Sequence, residues 1–125
     1  MMSKYKKTSC LLLMLSCFSA PAVSDDFTPA STDTWCEGQV NALGIKKDGL
    51  VYVSGPGGLP VVYLCNVQNK DNGVEVESCK TMYSTLLAAQ SQKRSVNITF
   101  APKIAACSEL QSWDYAENVN WVIAQ

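Results

Sequence analysis

Residues 38–54 read G-Q-V-N-A-L-G-I-K-K-D-G-L-V-Y-V-S, and the architecture of the chain turns on how that stretch folds. Val40 and Ala42 alternate in one phase and Leu43 and Ile45 in the other, so a period-two strand slips phase beside Gly44. A one-residue slip moves every side chain to the opposite face, which a strand absorbs by a bulge or a sharp coil. Glycine is the residue that tolerates such a kink. Asp48-Gly49 then supplies a hairpin turn into Leu50–Ser54 (LVYVS). The stretch predicts a coiled first strand followed by its antiparallel partner.

Downstream, Gly55-Pro56-Gly57-Gly58 reads as a turn and Val61–Val67 as a third strand, with Pro60 at its start, where a missing N–H does least harm. Gln68–Gly73 is a polar loop, and Val74–Glu77 is either a short strand or an extended lead-in. Ser78 is a good N-cap for a helix over 79–92, on which Cys79, Met82, Tyr83, Leu86 and Leu87 share one face. Ser95–Phe100 alternates Val96, Ile98 and Phe100 against Asn97 and Thr99, and Pro102 ends it. Val119–Ile123 is the last strand, with Val119, Trp121 and Ile123 on one face and Trp121 packed inward. The order is three strands, one helix, two strands. It predicts a mainly β (α+β) protein, a five-stranded OB-like barrel with one helix between strands 3 and 4; a generic α+β sandwich is the plainer alternative. A first strand long enough to pair on both sides of the barrel accounts for the phase slip.

Upstream, residues 1–24 follow the plan of a secretory signal: Lys4, Lys6 and Lys7, an apolar run from Cys10 to Ala20, and the small-residue segment Ala22-Val23-Ser24. Acylation at Cys17, as in a lipoprotein, is the alternative. The apolar run is too short to span a bilayer, and no other segment comes closer, so no membrane span is expected. Residues 25–34 read as a flexible leader and 35–125 as a single domain, exported to the periplasm or beyond.

Cleavage after Ser24 leaves Cys36, Cys65, Cys79 and Cys107 of the six cysteines, an even number in an exported chain, which reads as two disulfides. Gaps of 28, 13 and 27 residues lack the close C-x-x-C pairs of a thiolate zinc site, so no metal is expected. Of three pairings, the barrel's strand order favours Cys36–Cys107 with Cys65–Cys79; Cys79–Cys107 with Cys36–Cys65 stays open.

The 125 residues contain 10 Lys plus Arg, 11 Asp plus Glu and no His. Removing the first 24 leaves seven cations against eleven anions, a poor surface for phosphate backbones, so no nucleic acid is expected as partner. Without His, Ser54, Ser84 and Ser112 have no activating base, and Ser–His–Asp hydrolases are excluded. Glu75 and Glu77 are neighbours on one segment, whereas glycosidase carboxylates face each other across a cleft. The glycine-rich turn lacks the Lys and Ser/Thr of a phosphate cradle. The sequence predicts no enzyme and no cofactor.

The stretch Gly58–Phe100 resembles the OB-fold B subunits of bacterial toxins, of the subtilase and pertussis-like types. The resemblance is carried by G-x-P-V-V (Gly58, Pro60, Val61, Val62), Cys65, Tyr83-Ser84-x-Leu86-Leu87 and Ser95-Val96-x-Ile98. The chain also resembles small exported Gram-negative proteins with Cys65, Cys79-Lys80, Tyr83-Ser84, Leu86-Leu87, Ala89 and Cys107 in this order. The resemblance implies a ring-forming homo-oligomer whose surface binds a glycan or protein receptor. In those subunits the sugar contacts lie near the N-terminus and first strands, where Asp33–Ile45 departs, so no binding residue carries over.

Aromatic residues are the remaining lead. Tyr52, Tyr63 and Trp121 lie on strands, while Trp35, Trp113 and Tyr115 lie in polar, irregular segments and are the candidate binding residues. The sequence thus predicts a non-enzymatic binding module for a glycan or receptor, or alternatively a periplasmic inhibitor or immunity-type protein with one protein partner.

Overall fold

The phase slip in residues 38–54 is the place where one strand leaves one sheet and joins another. The structure, a computed structural model, describes residues 33–125; the expected signal peptide 1–24, Cys17 and residues 25–32 of the expected leader lie outside the described residues. Strand β1 (Thr34–Gln39) already includes Thr34, and β2 (Ala42–Ile45) follows after two residues. β1 pairs antiparallel with β5 (Ser95–Phe100), and β2 pairs antiparallel with β3 (Leu50–Ser54). Val40 is buried at the corner, and the Asn41 N–H donates to the Ser54 carbonyl at 2.9 Å, so the break falls at Val40–Asn41 rather than beside Gly44.

β4 (Val62–Asn66) pairs antiparallel with β3, and a short β6 (Asp114–Tyr115) pairs parallel with β4. β7 (Val119–Ala124) pairs antiparallel with β5. The result is a three-stranded sheet, β1-β5-β7, and a four-stranded sheet, β2-β3-β4-β6, with one α-helix, α1 (Val76–Ser91). The mainly β, one-helix class matches the expectation from sequence; among the described residues the strands number seven, in two sheets that do not close into a continuous barrel, where five were expected. The first expected strand divides at Val40–Asn41, and a strand forms at 114–115, in a segment with no apolar alternation to announce it.

The core lies between the sheets and under the helix. Val51 and Val53 of β3, Val62 and Leu64 of β4, and Val96, Ile98 and Phe100 of β5 are fully buried, as is Leu86 of α1. Each such side chain contributes about 1.5–3 kcal/mol of transfer free energy. The helix starts a turn earlier than expected: the Cys79 N–H donates to the Glu75 carbonyl at 2.9 Å, and Glu75, not Ser78, is the N-cap. Glu77 in the first turn suits the positive end of the helix dipole. The buried stripe is Cys79, Leu86 and Ala89, with Met82 and Tyr83 against it, and Leu87 points outward.

Two disulfides fasten this frame. Cys36–Cys107 ties β1 to a 3-10 turn (Cys107–Glu109), and Cys65–Cys79 ties β4 to α1, with Cα separations of 5.8 and 5.7 Å. The glycine-rich turn 55–58 packs on the first bridge. A Cβ at Gly57, whose φ is +63°, would lie 2.9 Å from the Cys36 Cα. Among the described residues no helix is long and apolar enough to cross a membrane.

β7 corrects the reading of Trp121. A bulge pairs Phe100 with Val119 and Thr99 with Trp121, leaving Asn120 as the extra residue. Val119 and Val122 then pack on the core, and Trp121 is turned outward, 50% exposed. Trp121 and Trp35 flank Thr99 across the sheet, and Thr99 and the fully buried Asn97 share that face.

Candidate functional site

Strand alternation builds one face of the four-stranded sheet from rings. In β3, Val51 and Val53 point into the core and Tyr52 points out; in β4, Val62 and Leu64 point in and Tyr63 points out. A bulge between Val51 and Tyr52 sets Tyr52 opposite Tyr63. Tyr63 in turn lies opposite Tyr115 on β6, and Tyr52 opposite Gly44 on β2. One transverse row therefore crosses all four strands: Gly44, Tyr52, Tyr63, Tyr115.

Gly44 is there for its missing side chain. A Cβ at Gly44 would lie 2.3 Å from the Tyr52 ring, so the ring lies directly over the glycine. Trp113 leans across the row, its ring centroid 5.8 Å from Tyr52 and 6.2 Å from Tyr63, with interplanar angles of 54° and 57°. Tyr63 and Tyr115 complete the series at 5.8 Å. These are tilted aromatic contacts of the favourable kind, each contributing about 0.5–1.5 kcal/mol beyond area burial. Trp113 adopts φ +62°, a region sparse for a bulky residue, and is held there by its N–H, which donates to the Val61 carbonyl at 2.7 Å. It is nonetheless 60% exposed.

The rim of the face is polar and fixed. Asn72, at φ 52°, donates from Nδ2 to the carbonyls of Leu64 and Ala116, both at 2.8 Å, and so pins loop 67–74 to β4 and to the residue after β6. That places Asp71, whose Oδ2 accepts the Tyr115 hydroxyl at 2.8 Å. The hydrogen bond to Asp71, then partial burial and the charges of Asp71 and Asp48, hold the Tyr115 phenol above its usual range. Lys46 Nζ lies 5.7 Å from the Tyr63 centroid and 3.9 Å from the Asp48 carboxylate.

Of the three residues singled out from sequence, Trp113 and Tyr115 come together on this face. Trp35 does not join them: it stands on β1 in the other sheet, half-buried opposite Thr99. Tyr52 and Tyr63, which the sequence marks as strand aromatics outside the three candidate residues, also belong to the face. The signal was the alternation itself, V-Y-V and V-Y-L, which turns each tyrosine away from the core. Asp71 and Lys46 gave none, because loop folding brings them in.

An apolar groove of about 480 Å³ lies between α1 and β7, lined by Met82, Trp121, Val122 and Ile123 together with Glu77, Ser78, Thr81 and Thr85. The Thr81 and Thr85 hydroxyls donate to the carbonyls of Glu77 and Thr81 in their own helix, so they offer a ligand little direction. The aromatic face is not a cavity, but it sets a phenol, a carboxylate and an ammonium beside exposed aromatic rings, whose amphipathic character suits a recognition surface. Comparison of the chain with protein-family profiles, curated proteins and solved structures finds no match.

Proposed function

We propose that this chain is an exported, non-enzymatic binding module whose aromatic face takes a glycan, in the manner of a toxin B subunit. One observation carries the reading: three tyrosine rings in a row across one sheet, with Trp113 leaning over them at 60% exposure and the Tyr115–Asp71 hydrogen bond beside them. Sugar rings stack their C–H faces on aromatic rings and satisfy their hydroxyls at neighbouring polar groups. Asp71 is an acceptor for such hydroxyls.

The architecture supports an OB-type barrel as the scaffold. The first strand runs through both sheets as β1 and β2, and the last segment does the same as β6 and β7, pairing first with β4 and then with β5. Two chain segments thus run through both sheets, as the first and last strands of an OB-type barrel would. Two disulfides belong to an oxidising compartment, which agrees with export after cleavage at Ser24.

A protein partner is the second reading, as for a periplasmic inhibitor or immunity-type protein, because Trp and Tyr dominate protein-interface hot spots. A glycan array probed with the exported chain and with Trp113→Ala separates the two. Binding that vanishes in the variant supports the glycan reading, and an array with no signal sinks it. Light scattering on the same sample distinguishes a closed ring from a monomer.

A further inference from the structure

We infer that the aromatic face selects a sugar bearing a free amine over its N-acetylated and acidic counterparts; this rests on the glycan reading above. The charges around the rings favour a cation. Asp71 lies against the Tyr115 hydroxyl and Asp48 lies beside Lys46. Against these two carboxylates the rim sets the ammonium of Lys46. That ammonium already stands 5.7 Å over the Tyr63 ring and 3.9 Å from a carboxylate, which is the geometry a ligand amine would adopt on this face. Acidic sugars are best gripped by a guanidinium, which binds a carboxylate through two parallel hydrogen bonds. The chain's only arginine, Arg94, immediately precedes β5 of the other sheet, where its Nε donates to the Gln125 carbonyl at 2.6 Å.

The probes are a glucosamine tetramer, its fully N-acetylated counterpart and a sialylated trisaccharide, titrated by calorimetry into the exported chain at a pH that keeps the amines protonated. The glucosamine tetramer should bind about threefold more tightly than the N-acetylated one, as a single exposed cation–π and ion-pair contact allows, and the sialylated probe least. The preference should shrink as salt rises. Lys46→Met removes the resident ammonium, so it should tighten glucosamine binding and not tighten N-acetylated binding. Asp71→Asn should bring the two affinities together. Equal or tighter binding of the N-acetylated probe, tightest binding of the sialylated one, or a weakened glucosamine affinity in Lys46→Met would each overturn the inference while leaving the glycan reading standing. Failure of all three probes to bind would remove both.

Discussion

The middle strands of the two sheets make an instructive pair. In β5 every residue from Val96 to Phe100 is buried, the polar Asn97 and Thr99 included, while β4 buries Val62, Leu64, Cys65 and Asn66 and turns Tyr63 outward. What differs is whether anything covers the second face. A strand covered on both sides can only hold the fold together, whereas a strand with one bare side can present side chains to a ligand. β5 makes the three-stranded sheet the frame, although Trp121 on its β7 edge is half-exposed, and Tyr63 of β4 makes the four-stranded sheet the display.

That division predicts different mutational costs. Phe100→Ala should destabilise the protein by about 3–5 kcal/mol in chemical denaturation, since a fully buried ring leaves a cavity. Trp113→Ala, with most of its ring in solvent, should cost less than about 1.5 kcal/mol. Similar costs at the two positions would mean that the aromatic face is core and not display. Next come the bridges. Cys36–Cys107 spans 71 residues and holds the frame sheet, and Cys65–Cys79 spans 14. Replacing each pair by serines should cost about 4 and about 3 kcal/mol respectively in the chain-entropy account, read as a shift in denaturation midpoint.

Asn97 marks the cost of covering both faces. Its side-chain amide is fully buried, and neither its nitrogen nor its oxygen has a hydrogen-bond partner; the Thr99 hydroxyl is in the same position. An unsatisfied buried amide costs about 1–3 kcal/mol. Asn97→Leu, similar in size and free of that cost, should therefore stabilise the chain by about 1–2 kcal/mol. A destabilised variant would show that the amide has a partner in solution.

The same contrast explains what could be read in advance. Apolar alternation marks β3, β4 and β5 in the sequence, because each has an inward row of Val, Ile, Leu or Phe. The coiled first strand is legible from the phase slip, though it turns at Val40–Asn41 and not beside Gly44. Asp114–Tyr115 is not legible: two residues have no period, and that strand exists only because β4 offers a free edge. Trp121 misleads because a bulge at Thr99/Phe100 inverts its phase, and a bulge changes pairing without changing composition. At the candidate site, Trp113 and Tyr115 stand out as aromatics in a polar segment, while Asp71 comes into place through Asn72, a contact with residues 8 and 44 positions away.

Gly44→Ala tests the display sheet more gently. The new methyl would meet the Tyr52 ring at 2.3 Å, but a ring at the end of a side chain can swing away, and an alanine favours an extended backbone more than glycine does. Stability should change by less than about 1 kcal/mol. The Tyr52–Trp113 contact should break, giving a shift in tryptophan fluorescence and weaker ligand binding. An unchanged spectrum would show that the glycine does not position the row.

The smallest effect expected is at Tyr115. Its pKa is raised, first by the hydrogen bond to Asp71, then by partial burial and by the charges of Asp71 and Asp48, so folding favours the protonated phenol. Stability from that bond is fully present below the unfolded value of about 10 and is lost as pH rises through the higher folded value. The ring is 41% exposed, so solvent screens the interaction and the loss should be visible by titration more readily than in global unfolding. In a tyrosinate absorbance titration, the step that disappears in Tyr115→Phe should move to lower pH in Asp71→Asn. If it stays in place, Asp71 does not govern the phenol and the polar rim of the face is looser than its 2.8 Å hydrogen bond implies. If it moves, the two sheets differ in their polar groups as they do in their burial: the display sheet holds its phenol by a satisfied hydrogen bond at the edge of water, and the frame sheet buries an amide with none.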